Sequence, residues 1–152
     1  MKRWIIYLLI LGAVVTVPVE RTDVAQLEPV EVVCLRVDGD RVVLETDTGD
    51  AGYGEDAQQA LAQLHATAAG VIYLDTARYL LVTSDAQTQI PQLAQELKPK
   101  VRLYTLDGAP DLTEVSRYLE NHDQGVTLED WKPEQSLPVL WEREGRMWIK
   151  NN

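Results

Sequence analysis

Residue types that often carry chemistry or cross-links are scarce in this 152-residue chain. It contains one cysteine, two histidines and no phenylalanine. The single cysteine excludes an internal disulfide framework and a cysteine-rich zinc site. Without phenylalanine, the core must be built from leucine, valine, isoleucine, tyrosine and the four tryptophans. A hydrophobic content of 45% is nevertheless typical of a globular protein, and the length suits one domain.

Positive charge is also scarce. The chain has 14 lysines and arginines against 24 aspartates and glutamates, which gives a formal net charge of −10. Such a chain is repelled by the phosphates of nucleic acids and by anionic lipid surfaces. We therefore expect no nucleic-acid partner.

The N-terminus carries the strongest local signal. Lys2 and Arg3 precede an uncharged apolar run over residues 4–17 (WIIYLLILGAVVTV), which Pro18 ends. This pattern predicts a signal anchor over residues 1–19, with the basic residues in the cytoplasm and the C-terminal domain on the extracytoplasmic side. Because no A-x-A cleavage site follows, an uncleaved single-pass anchor is favoured; cleavage and secretion is the alternative.

The remainder is predicted to be a linker over residues 20–29 and an extracytoplasmic domain over residues 30–152. Short β-branched runs alternate with helical periodicity, which predicts an α/β (α+β) fold with a mixed sheet of about six strands and three helices, preceded by the membrane-anchor helix. The predicted strands cover residues 30–37, 41–48, 71–74, 79–83 and 101–106, with a short edge strand at 126–131 and a hairpin at 139–149. The predicted helices cover residues 55–67, residues 90–97 and a segment that begins after Asp111.

A glycine-rich stretch at residues 49–57, GDAGYGEDA, contains the G-x-G-x-x-A pattern of dinucleotide-binding turns. The helix predicted after it begins with Glu55 and Asp56, and these carboxylates would repel a pyrophosphate. A structural strand-to-helix turn is therefore favoured, in which Gly52 or Gly54 has a positive φ angle. No nucleotide or other cofactor is expected.

Carboxylates around this stretch raise two further possibilities. Residues 47–49 read Asp-Thr-Gly, as in aspartic proteases, but the second copy that would share a proton is missing. Four nearby aspartates lack the spacing of an EF-hand calcium loop: Asp38, Asp40, Asp47 and Asp50. Ordinary turn acids are favoured, and no metal site is predicted. An exported small-ligand-binding domain or hydrolase that uses the acidic turn at residues 47–56 is the alternative function.

No other residues form a catalytic constellation, so no catalytic residue is predicted and the chain is not expected to be an enzyme. His65 and His122 have no partner at metal-ligand spacing. Cys34 lies in an alternating strand, which favours a buried structural thiol over a nucleophile.

Two tryptophans near the C-terminus are predicted to face each other. With Glu144 and Gly145 at the centre of a hairpin turn, Trp141 lies opposite Trp148. A cross-strand pair that stabilises the hairpin is the favoured interpretation. An interaction surface for a protein partner is the alternative.

The order of features between residues 45 and 119 also resembles a known family. A strand leads to Gly52-Tyr53-Gly54 and a helix, VIYLD and LLVT follow at residues 71–75 and 80–83, and VRLY precedes an Asp-Gly turn at residues 101–108. This order resembles the N-terminal domain of spore germinant receptor C subunits, the Ger(x)C family of endospore-forming Firmicutes. Residues 137–147 are loosely similar to a later segment of that family.

The resemblance implies a non-enzymatic accessory or scaffold protein associated with spore germination or sporulation. Its partners would be other membrane or spore-envelope proteins. The chain departs from the family in two respects, because family members are much longer and are lipoproteins. No acylatable cysteine closely follows the apolar run here, so the peptide anchor would have to replace the lipid.

Overall fold

A computed structural model describes residues 27–151 of the chain. The predicted anchor at residues 1–19 lies outside the described residues. Those described form the following strands and α-helices: β1 (Leu27–Pro29), β2 (Val32–Asp38), β3 (Arg41–Thr46), β4 (Ala51–Gly54), α1 (Ala57–Thr67), β5 (Val71–Tyr73), β6 (Tyr79–Val82), α2 (Ile90–Leu93), β7 (Arg102–Asp107), α3 (Leu112–His122), β8 (Val126–Thr127), β9 (Val139–Arg143) and β10 (Arg146–Lys150).

Eight of these strands form one mixed sheet. Its order is β10-β9-β7-β6-β2-β3-β4, and β8 pairs with β7 beside this path. The strands β2, β6, β7 and β9 run parallel, whereas β3, β4, β8 and β10 are antiparallel to their neighbours. The mixed α/β fold with three helices is thus confirmed for the described residues, but the main sheet has eight strands rather than about six.

Helices cover both faces of the sheet, so its central strands are apolar on both sides. All four residues of β6 are buried. The first face packs against α1 and α2 through residues that include Leu35, Leu44, Leu64, Leu80, Ile90 and Leu93. The opposite face packs against α3 through residues that include Val32, Cys34, Leu81, Tyr104, Val115 and Leu119. The core is therefore divided between two layers by the sheet itself.

The two longer helices begin at aspartate caps. The Asp56 carboxylate accepts a hydrogen bond from the Gln59 amide at 2.8 Å, and the Asp111 carboxylate accepts one from the Thr113 amide at 2.8 Å. Such side chains satisfy amides that have no partner within the helix. The helix predicted to begin after Asp111 is thus confirmed.

The helix predicted over residues 90–97 is much shorter in the structure. Only Ile90–Leu93 is α-helical, and a 3₁₀ helix at Ser84–Gln89 precedes it. Pro91 lies in the first turn, where a backbone amide has no partner within the helix and its absence therefore breaks no hydrogen bond. Ile90, Leu93 and Leu97 are all buried. The apolar spacing therefore predicts which side chains are buried but overestimates the length of the helix.

The last three residues of the predicted linker at residues 20–29 form a strand. Leu27–Pro29 pairs in parallel with Val71–Tyr73 to form a separate two-stranded sheet. Three residues that include a proline give almost no strand signal in a sequence, and proline is tolerated only at a sheet edge. The pairing is therefore a tertiary feature that the local pattern did not show.

Candidate functional site

The glycine-rich stretch forms an edge strand and not the turn that the sequence predicted. Gly52 lies opposite Leu44, and Gly54 lies opposite Val42, in the antiparallel pair of β3 and β4. The prediction of a positive φ angle at Gly52 or Gly54 is also wrong. Among the described residues, the glycines with positive φ are Gly39, Gly49, Gly108 and Gly145.

Close packing, rather than backbone conformation, requires these two glycines. A Cβ atom at Gly52 would lie 2.0 Å from the Ala60 carbonyl oxygen, and one at Gly54 would lie 2.4 Å from the Ala60 amide nitrogen. Both contacts are with the backbone of α1, which cannot rotate away. The G-x-G spacing places both glycines on the same face of β4, and this period of two was the available signal for a strand beneath a helix.

The carboxylates of the predicted acidic turn are engaged in structural hydrogen bonds. Both oxygens of Asp47 accept from the Glu31 amide at 3.2 Å, while Thr48 donates to Asp50 at 3.0 Å and Asp56 caps α1. Burial raises the pKa of Asp47 above its usual value. Among the described residues, no three His, Cys, Asp or Glu side chains are arranged to hold a metal ion. The turn thus ties β2 to β3.

Cys34 is buried in β2, as predicted. Its side chain faces α3, and it is paired across the ladder with Glu45. Burial, with a smaller contribution from the Glu45 carboxylate, raises the pKa of the thiol from 9.0 to about 12. The thiol is therefore protonated at neutral pH, which disfavours a nucleophilic role.

The two histidines lie apart on different helices. His122 stacks on Tyr118 with ring centroids 4.4 Å apart, and its Nδ1 is 2.9 Å from the Tyr118 carbonyl oxygen. His65 lies exposed on α1. Among residues 27–151, no hydrogen bond or ion pair joins either histidine to the acidic turn or to Cys34.

The tryptophan hairpin has the predicted register. Trp141 is paired with Trp148, and the turn residues Glu144 and Gly145 both have positive φ. The two indole rings are stacked, with centroids 6.2 Å apart and an interplanar angle of 5°. Trp148 nevertheless remains 41% exposed on the edge strand β10. The pair can stabilise the hairpin and still present an aromatic face to solvent.

A cluster of basic side chains was not predicted. Four cations line a cavity of about 210 Å³, which we call the cationic cleft: Arg78, Lys98, Lys100 and Arg102. They come from two separate segments, the entrances to β6 and to β7, which the parallel pairing of these strands brings together. No local pattern joins the two segments, so only the fold reveals the cluster.

Comparisons with known proteins leave the functional predictions open. The chain matches no protein-family profile, no curated protein and no solved structure. The resemblance to germinant receptor C subunits therefore stays a prediction. Between residues 27 and 151, no helix has the length and apolar character required to span a membrane.

Proposed function

We propose that this chain is a non-enzymatic accessory or scaffold protein, tethered to the membrane by residues 4–17, whose extracytoplasmic domain docks other membrane or envelope proteins. The observation that carries the proposal is the half-exposed Trp148 ring, stacked on Trp141 at the edge of the sheet. Large aromatic side chains in such positions are frequent anchors of protein interfaces. The association with spore germination rests on the family resemblance alone.

The two edges of the main sheet differ in a way that favours docking at β10. At the β4 edge, Tyr53 and Glu55 donate their backbone amides to the side chains of Gln63 and Gln59 on α1. At the other edge, β10 is the last strand and has no further strand beside it among residues 27–151. An extended peptide can therefore add to β10 by backbone hydrogen bonding.

The exposed face of β10 defines the chemistry of the partner. Arg146, Trp148 and Lys150 alternate along the strand and are all exposed, whereas Met147 and Ile149 pack against the core layer of α3. An indole flanked by two cations suits an extended segment in which apolar and acidic residues alternate. Such a segment of a membrane or envelope protein is the occupant that we propose for this edge.

Site-specific photocrosslinking in native membranes tests this proposal. A benzoylphenylalanine in place of Trp148 should form a discrete adduct with a membrane or envelope protein. The matched control is the same replacement of Tyr53, which is 45% exposed but lies on the edge strand that α1 covers. Equal adducts from both positions, or none from position 148, would contradict docking at β10.

The alternative of a ligand-binding or hydrolytic site at residues 47–56 gains no support from the geometry. Asp47, Asp50 and Asp56 each accept a hydrogen bond that holds local structure together. A catalytic carboxylate needs to be available to a substrate. The hydrogen bonds of these three carboxylates stabilise the turn and the start of α1.

A further inference from the structure

We infer that the cationic cleft binds the phosphate group of a small soluble compound. The cleft is rich in positive charge, whereas the chain as a whole is acidic. Its lining contains four cations and one carboxylate, Asp123, in a chain of formal net charge −10. The cleft thus gathers four of the 14 basic residues of the chain at one place.

The fold places the two arginines side by side. The Arg102 amide donates to the Arg78 carbonyl oxygen at 2.8 Å, and Arg102 lies opposite Tyr79 in the parallel ladder of β6 and β7. Lys98 and Lys100 belong to the segment that leads into β7. The entrances to β6 and β7 thus converge on a single cavity.

Both guanidinium groups are held in position before any ligand arrives. Arg78 pairs with Glu120 at 2.8 Å and lies over the Tyr79 ring at 5.3 Å from its centroid. Arg102 donates to the Gly125 carbonyl oxygen at 2.9 Å. A guanidinium group that is already ordered loses less conformational entropy when it binds an anion.

The one carboxylate in the lining is occupied by other donors. Asp123 accepts hydrogen bonds from the Tyr104 hydroxyl at 2.6 Å and from the Gly125 amide at 3.0 Å, and it lies 3.4 Å from Nε of Arg102. Its charge is therefore balanced locally. Lys98 and Lys100 form no ion pair with any residue between 27 and 151, which leaves two exposed ammonium groups at the cleft.

Size and charge select the ligand class. Arginine and lysine side chains bind phosphate through charge-assisted hydrogen bonds, and several cations around one small volume favour a multiply charged anion. A cavity of about 210 Å³ admits a phosphate group with a small substituent. The acidic remainder of the protein would repel a polyanion or an anionic membrane surface, which favours a small soluble phosphate monoester.

Calorimetric titration of the full-length protein in a non-ionic detergent tests the inference, with inorganic phosphate and glycerol phosphate as probes at constant ionic strength. The double variant Lys98→Gln/Lys100→Gln should bind both probes at least about tenfold more weakly, because two charge-assisted contacts are lost. The control Arg41→Gln/Lys132→Gln makes the same charge change at exposed cations outside both the cleft and the β10 face, and it should bind as the wild type does.

Three results would overturn the inference. The first is the absence of saturable binding of either probe by the wild-type protein, and the second is an equal loss of affinity in both double variants, which would indicate a general charge effect. Tighter binding of the water-soluble diester glycerophosphoglycerol than of glycerol phosphate would identify a lipid headgroup instead of a soluble monoester. Unchanged melting curves of both variants would show that the substitutions leave the fold intact.

Discussion

Cys34 shows how strongly its surroundings change the chemistry of a single residue. In the folded protein the pKa of its thiol is about 12, whereas the ordinary value is 9.0. The unfolded chain therefore releases this proton at a lower pH than the folded chain. The free energy of unfolding should be undiminished below about pH 9 and should fall as the pH rises toward 12.

Denaturant titrations of wild type and Cys34→Ala at about pH 8 and about pH 10.5 measure this effect. The wild type should lose more stability between the two values than the variant does. The variant should retain a smaller decrease, because burial also raises the pKa values of Tyr79 and Tyr104. An equal decrease in both proteins would show that the thiol does not contribute.

The glycines of β4 lead to a second prediction at this scale. Gly52→Ala should destabilise the protein by about 3 kcal/mol, because the new methyl group meets the backbone of α1 and one of the two elements must move. Gly39→Ala is the matched control, since nothing lies within 4 Å of its Cβ position and only its positive φ is strained. The control should lose about 1 kcal/mol.

Denaturant unfolding of both glycine variants is the measurement. Similar losses at Gly52 and Gly39 would mean that α1 does not lie as close to β4 as the structure shows. The sequence had identified Gly52 and Gly54 as structural but for the wrong reason. Glycine permits two different things, a left-handed backbone and a close approach, and only the fold distinguishes them.

At the scale of the element, the tryptophan hairpin has two roles: it pairs β9 with β10, and it carries the proposed interface. Trp148→Ala should destabilise the domain by about 1–2 kcal/mol, because a half-exposed indole and its stacking on Trp141 are lost. Trp148→Tyr keeps an aromatic ring and should lose less. Thermal or denaturant unfolding gives both values, and an unchanged stability of the alanine variant would contradict the stacked arrangement.

Elements whose signals are local were predicted well. The hairpins β2–β3 and β9–β10 and the helices α1 and α3 depend on turn residues, caps and side-chain periods that lie within one segment. The strands β1 and β4 exist because a distant segment or a packed helix supports them, so they were not predicted from their short sequences. The cationic cleft was missed for the same reason.

At the scale of the whole molecule, the central prediction concerns the membrane. The uncharged run at residues 4–17 should hold the full-length protein in the membrane fraction after extraction with alkaline carbonate. A version that begins at Glu20 should appear in the soluble fraction. Full-length protein of unchanged mass in that fraction would contradict the anchor. It would also contradict cleavage, because a cleaved protein has a lower mass.

The small sheet of β1 and β5 has a mechanical consequence. A pull on the chain from residue 26 reaches the domain first through Leu27–Pro29, whose three residues pair in parallel with Val71–Tyr73. Just beyond them, the Glu31 amide donates to Asp47 and the Glu31 carbonyl oxygen accepts from the amides of Arg78 and Tyr79. The force is thus shared among several hydrogen bonds before it reaches β2. The small sheet would therefore bear load, and separate, before the core does.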